Sequence, residues 1–125
     1  MSGNGIVDLP SKYSVAETVK RLESSLRSKG IKVFTRIDQA AEAKAVGLSM
    51  RPTELLIFGD PRVGTPIMEK YPSIALDLPL KALAWESVDG KVWLSYNSSE
   101  YLLERHQLDS PPFKGVENLL AAATK

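Results

Sequence analysis

At 125 residues, 43% hydrophobic and 25% charged, the chain is sized for one domain, 1–125, that builds its own core without covalent staples. Its 16 basic and 15 acidic residues leave a formal charge of +1, which provides no broad field for a nucleic acid or an anionic membrane. With no cysteine, disulfides, thiol catalysis and cysteine-based zinc sites are excluded, and no stretch approaches the roughly 20 apolar residues of a bilayer span. The opening "MSGNGIVDLP" has neither a basic n-region nor an apolar run, so the expected location is the cytoplasm.

In chain order, "GIVD" at 5–8 reads as a first strand. A helix follows: Ser14 and Glu17 have the spacing of a capping box, Val15, Val19, Leu22 and Leu26 recur on one face, and Gly30 stands where a left-handed residue ends a helix. "IKVFTRID" reads as strand two, with Ile31, Val33, Thr35 and Ile37 on one side and Lys32, Phe34 and Arg36 on the other. Asp38 can cap a short alanine-rich helix closed by Gly47. "ELLIFG", apolar on both faces, predicts a central strand.

The loop "FGDPRVGTPIM", Phe58–Met68, follows this strand. Asp60-Pro61 and Thr65-Pro66 each fit an N-cap followed by proline at the first helical position, so two successive helical starts are expected, the second running through "IMEKY" to a stop at Pro72. "LKALAWESVDGKVWLSYN" predicts a hairpin with Asp89-Gly90 as a two-residue type I′ turn. Asn97 and Glu100 have capping-box spacing for a helix through "YLLERH", and a proline-containing break precedes a last helix with Val116, Leu119, Leu120 and Ala123 on one side. This irregular alternation is α+β rather than a repeated βαβ pattern. The strands around Phe34, Trp85 and Trp93 carry large apolar residues on both faces, so one face needs cover from the C-terminal helices or from a second subunit.

Candidate site residues cluster at the loop. Gly59 and Gly64 relax backbone constraints, the amides at the second helical start could hold an anion, Arg62 would add positive charge, and Asp60 would oppose it; Asp60 and Thr65 serve equally well as plain caps. Lys81 either pairs with Asp77 or faces a ligand. Asp38 is a cap or joins Arg36 and Arg51 in a polar cluster, and Tyr96 can present its hydroxyl at a cleft rim. His106 reads as a cation at an exposed helix C-terminus, without metal-ligand spacing around it and poorly placed for a Ser-His-Asp triad. No P-loop, metal cluster or other cofactor motif is present, so neither cofactor nor metal is expected.

"ELLIFGDPRVGTPIM", "ALDLPLKALAWE", "GKVWLSYN" and the Gly30–Asp38 segment together resemble the domain-of-unknown-function 302 family, over about Tyr13–Tyr101. The resemblance implies a TBP-like β-α-β4-α unit with a curved antiparallel sheet and a homodimer, and it implies no DNA binding. It brings no established activity. Gln39 stands where relatives often have His, and Asp60 where they usually have Asn. The expected role is a homodimeric binding module for a small polar or amphipathic ligand near Gly59–Met68. The alternatives are a protein-interaction module and a small acid-base enzyme using Asp, Lys and Tyr side chains.

Overall fold

Ser14 opens the first helix: its hydroxyl accepts from the Glu17 N–H at 3.1 Å, although the reciprocal bond of a full capping box is not made. In the computed structural model, which describes residues 3–125, this helix is α1 (Val15–Ser28). It follows β1 (Ile6–Ser11) and leads to β2 (Lys32–Asp38), α2 (Gln39–Ala45), β3 (Thr53–Gly59) and α3 (Pro61–Lys70). A short 3-10 helix (Pro72–Leu76), β4 (Leu80–Glu86), β5 (Val92–Asn97), α4 (Ser99–His106) and α5 (Lys114–Ala123) complete the chain. The strands form one antiparallel sheet in the order β1-β5-β4-β3-β2, an α+β fold that carries the expected β-α-β4-α order with α2 and α3 inserted between strands.

Val15, Val19, Leu22 and Leu26 of α1 are buried against Leu56, Phe58, Ala82, Ala84 and Leu94 of the sheet, and Leu120 and Ala123 of α5 join them. Alanines at the centre of β4 let α1 approach closely, and each apolar side chain removed from water contributes on the order of 1.5–3 kcal/mol. Thr18, fully buried, donates to the Ser14 carbonyl and shares a hydrogen bond with Ser11, so the helix start is tied to the edge strand. The opposite face presents Ile37, Leu55, Ile57, Leu83, Trp85 and Trp93, all only half-buried. The two tryptophans are direct cross-strand partners, stacked with centroids 6.4 Å apart.

Several local expectations are corrected. β2 does not keep one alternation: the register shifts between Val33 and Thr35, leaving Phe34 as the extra residue of a β-bulge. Val33 and Arg36 therefore share the α1 side, where Arg36 Nε meets the buried Glu54 carboxylate at 2.6 Å, while Thr35 and Ile37 lie on the open face. The hairpin loop is three residues long, not two. Gly90 donates to Ser87 and Ser87 to Lys91, with Gly90 at φ +84° after an Asp89 that does not adopt the positive φ of a type I′ turn. The cap of α4 is Ser98, whose hydroxyl accepts from the Tyr101 N–H at 3.1 Å, one residue beyond the predicted Asn97. The two helical starts at Asp60 and Thr65 merge into the single helix α3. Asp60 caps it, the Asp60 carbonyl accepts from both Val63 and Gly64, and the turn runs on through Pro66.

Candidate functional site

The last residue of β3, the first turns of α3 and the run into β4 converge at one end of the sheet. They enclose an apolar cavity of about 200 Å³. Its walls are Phe34, Pro61, Met68, Leu78, Pro79, Leu80 and Phe113, with Gly59, Asp60, Gly64 and Thr65 along one side. The bulge in β2 turns Phe34 toward it, and Phe34 remains 44% exposed. Neither lining glycine has a positive φ. A Cβ on Gly59 would lie 3.5 Å from the Phe34 ring and 3.7 Å from Pro79 Cβ. One on Gly64 would lie 3.6 Å from Leu78 Cδ1 and 3.8 Å from Met68 Cε. These are ordinary contacts, so each glycine leaves open a space that an alanine methyl would occupy.

Four of the eight predicted site residues, Gly59, Asp60, Gly64 and Thr65, line this cavity. The Thr65 hydroxyl is exposed and makes no hydrogen bond to another described residue. Thr65 does not cap a helix, because it lies in the second turn of α3. Asp60 and Arg62 satisfy each other. Asp60 Oδ1 accepts from both Arg62 N–H and Nε at 3.0 Å, and Arg62 Nη2 also reaches the Gly30 carbonyl at 3.2 Å. Donation from the Arg62 side chain holds the Asp60 carboxyl below its ordinary pKa and pushes the guanidinium up. A pair so engaged leaves no free cation for an anionic ligand, against the expectation that Arg62 would add one.

The other candidates lie elsewhere. Lys81 is exposed and points back to the Pro79 carbonyl at 3.4 Å rather than to Asp77. With Tyr96 it borders a neighbouring cleft of only about 20 Å³, which shares Leu80 and Phe113 with the cavity. Partial burial, together with Glu117 and Glu100 nearby, pushes the Tyr96 phenol up, so it stays neutral at physiological pH. Asp38 caps α2 through the Ala41 N–H at 2.9 Å. It lies six residues along β2 from Lys32, the partner of Gly59, about 20 Å away by the strand rise. Gln39 is exposed beside it, remote from the cavity. Acid-base residues therefore do not converge on the apolar space.

His106 overturns its sequence reading. Its side chain is 2% exposed, with Nδ1 2.7 Å from Ser73 Oγ and Nε2 2.6 Å from Asp77 Oδ2. Left-handed Gln107 ends α4 and leaves the imidazole facing inward. Arg105 Nη1 adds a longer contact to Asp77 Oδ1 at 3.5 Å. In the neutral ring Ser73 donates to Nδ1 while Nε2–H donates to Asp77, which satisfies all three groups. Although these are the residue types of a triad, none of the three lines the cavity. They brace it instead: Asp77 directly precedes Leu78 and Pro79 in the cavity wall. The Leu78–Pro79 peptide is cis. Among the described residues no group of three His, Asp or Glu side chains could hold a metal ion, and no helix is long and apolar enough to cross a membrane.

The family described as "Domain of unknown function DUF302" matches residues 7–125. The chain belongs to the DUF302 family. The solved structure titled "Crystal structure of uncharacterized conserved protein DUF302 from Bacillus stearothermophilus" is similar with a TM-score of 0.75 at 20% identity, covering 96% of this chain and 95% of that one. At that identity the likeness concerns the fold. Curated relatives include "Fluoride-specific ion channel FluC 1" of Brucella suis biovar 1 (strain 1330), 50% identical over 105 residues, which are 84% of this chain and 41% of the relative. "Fluoride-specific ion channel FluC 2" of Brucella melitensis biotype 1 (strain ATCC 23456 / CCUG 17765 / NCTC 10094 / 16M) matches equally, over 39% of its length. The chain thus spans about two fifths of the length of these relatives.

The bracing role of His106 in this DUF302 domain is measurable. His106→Ala should lower stability by about 1–3 kcal/mol in urea denaturation, because Ser73 and Asp77 each lose a partner. An unchanged midpoint would show that the cluster does not hold the wall.

Proposed function

We propose that this chain is a homodimeric binding module for a small amphipathic molecule, whose apolar body sits in the Gly59–Phe113 cavity while its polar end faces the Thr65 hydroxyl. Gly64 is the observation that carries this reading. It is buried in the middle of α3, has no positive φ, and has room for a methyl group. Glycine at such a helix position costs roughly 0.5–1 kcal/mol relative to alanine. Nothing in the packing of the fold requires that cost, whereas an open apolar cavity does. Its lining of phenylalanine, methionine, leucine and proline suits hydrocarbon or an aromatic ring, and the engaged Asp60–Arg62 pair disfavours an ionic head group. An amphipathic ligand is therefore favoured over a wholly polar one, and a non-catalytic role over acid-base chemistry.

Support for the dimer comes from the open sheet face. Its half-buried Leu55, Ile57, Leu83, Trp85 and Trp93 form a contiguous apolar surface across three strands, of the sort that marks association. A second copy related by a twofold axis would cover it, with the tryptophans near the centre.

The curated relatives favour a second reading for the same module. In proteins named as fluoride-specific ion channels, the matching segment is about two fifths of the chain. There the module would accompany a membrane channel and report the presence of its small ligand to the remainder of the protein, and for this chain the corresponding role is that of a small-molecule sensor acting on a partner. A cytoplasmic location fits both readings.

Gly64→Ala separates a ligand site from a structural glycine. The variant should melt higher, by an amount corresponding to about 0.4–1 kcal/mol, while losing affinity for octanol in calorimetric titration. Unchanged octanol binding would show that the alcohol does not occupy this cavity. Sedimentation of the unmodified chain should give a dimer and Trp93→Glu a monomer; a monomeric unmodified chain would contradict the proposed assembly.

A further inference from the structure

Phe113 occupies a position that its local chemistry does not explain. It stands at the N-cap of α5, makes no capping hydrogen bond, and has φ +60°. Helix starts favour Ser, Thr, Asp or Asn, whose side chains satisfy an orphan N–H, and bulky residues rarely adopt a left-handed backbone. Such a departure from local preference is characteristic of functional positions. Gln107, the other described non-glycine residue with positive φ, stands at the opposite end of the α4–α5 connection. That connection delivers the ring to the end of the sheet, and Lys70 Nζ fastens it to α3 by meeting Asp109 at 2.6 Å.

At the end of the sheet the half-buried ring borders two substantial cavities. One is the 200 Å³ cavity described above. The other, the inner cavity of about 140 Å³, adds buried Phe58, half-buried Ile31 and Val116 and exposed Val63 to its lining. Both are bordered by Gly59, Asp60, Leu80 and Phe113. Gly59 brings only backbone to this boundary, Asp60 is held by Arg62, and Leu80 is packed against the main core. Phe113 is the large side chain at the boundary that arrives from outside the sheet. It lies on a connecting segment, where its loss leaves the α1–sheet core intact.

Resting on the binding function argued above, we infer that Phe113 is the specificity-determining wall of the site, limiting the apolar body of the ligand to the outer cavity. With the ring in place, the site takes a short unbranched chain or a single ring. Without it, outer and inner cavities join, and a longer chain gains apolar surface to bury in the direction of Ile31 and Val116. The predicted ligand class is therefore a short-chain or monocyclic amphiphile with an uncharged polar end.

Calorimetric titration of the full chain with hexanol, octanol and decanol tests this assignment. The unmodified protein should prefer the shorter alcohols. Phe113→Gly keeps the left-handed backbone favourable and removes the ring. It should raise decanol affinity relative to hexanol by about tenfold or more, because added methylenes become buried. Phe113→Trp, which fills more of the boundary, should move the preference toward hexanol and provides a second readout if the glycine variant folds poorly. The same chain-length preference in all three proteins, with the unmodified chain still binding, overturns the role of Phe113 and leaves the binding module standing. Absence of binding by all three to any of the alcohols overturns the binding module and this inference together.

Discussion

Everything in this fold depends on the packing of α1 across the small-residue centre of the sheet. Leu22 and Leu26 are fully buried, and Ala82 and Ala84 opposite them let the helix lie close to the strands. Once α1 and α5 have taken that face, the remaining chain has two surfaces to manage. One is the opposite face with its stacked tryptophans. The other is the end of the sheet beyond Phe58, where β3 stops at Gly59 and β4 begins after Pro79. The cavity arises at that second surface. Apart from Leu80, which also packs against the core, its walls come from segments outside the α1–sheet core, so the space is left without opening that core.

The surroundings of the cavity are tied down by polar contacts that are themselves fully engaged. Asp60 and Arg62 close the start of α3 on Gly30, while Ser73, His106 and Asp77 join the 3-10 helix to α4. Lys70–Asp109 links α3 to the α4–α5 connection, and Lys114–Glu100 joins α5 back to α4. The exposed Lys70–Asp109 and Lys114–Glu100 pairs give orientation more than energy, since exposed ion pairs are typically worth about 0–1 kcal/mol, whereas the buried His106 cluster contributes stability as well. They hold the walls while leaving the lining apolar, so the site offers shape and a single unengaged hydroxyl, Thr65, rather than a charged catalytic constellation.

The covered face could be read from the sequence because helical spacing of Val15, Val19, Leu22 and Leu26 has one physical meaning once Ser14 and Gly30 mark the ends. The loop beside the cavity was legible as well, since a glycine- and proline-rich loop at the end of an apolar strand is a common place for a site. The sequence pointed to backbone freedom and free amides there, whereas the two glycines keep ordinary φ and leave room instead. What surrounds the cavity was not legible. Phe34 sits in a run that fits unbroken alternation, and only the pairing partner on β3 creates the bulge that redirects it. Thr65-Pro66 carries the signal of a helix start, yet a helix already under way from Asp60 absorbs it. His106 resembles an exposed helix end until Ser73 and Asp77, from a distant segment, meet it. Phe113 has no sequence signal at all, because its meaning lies in an unusual backbone conformation and in two cavities that other elements make.

In the proposed function, the space between Gly59, Gly64 and Phe113 receives an apolar molecule. Titration of isotope-labelled protein with hexanol, followed residue by residue through its amide resonances, tests it most directly. Saturable shifts should concentrate at Gly59, Gly64, Thr65 and Phe113, with the α1 core and the Asp38 end of the sheet unaffected. Shifts that never saturate, or that concentrate instead on the Trp85–Trp93 face, would contradict it.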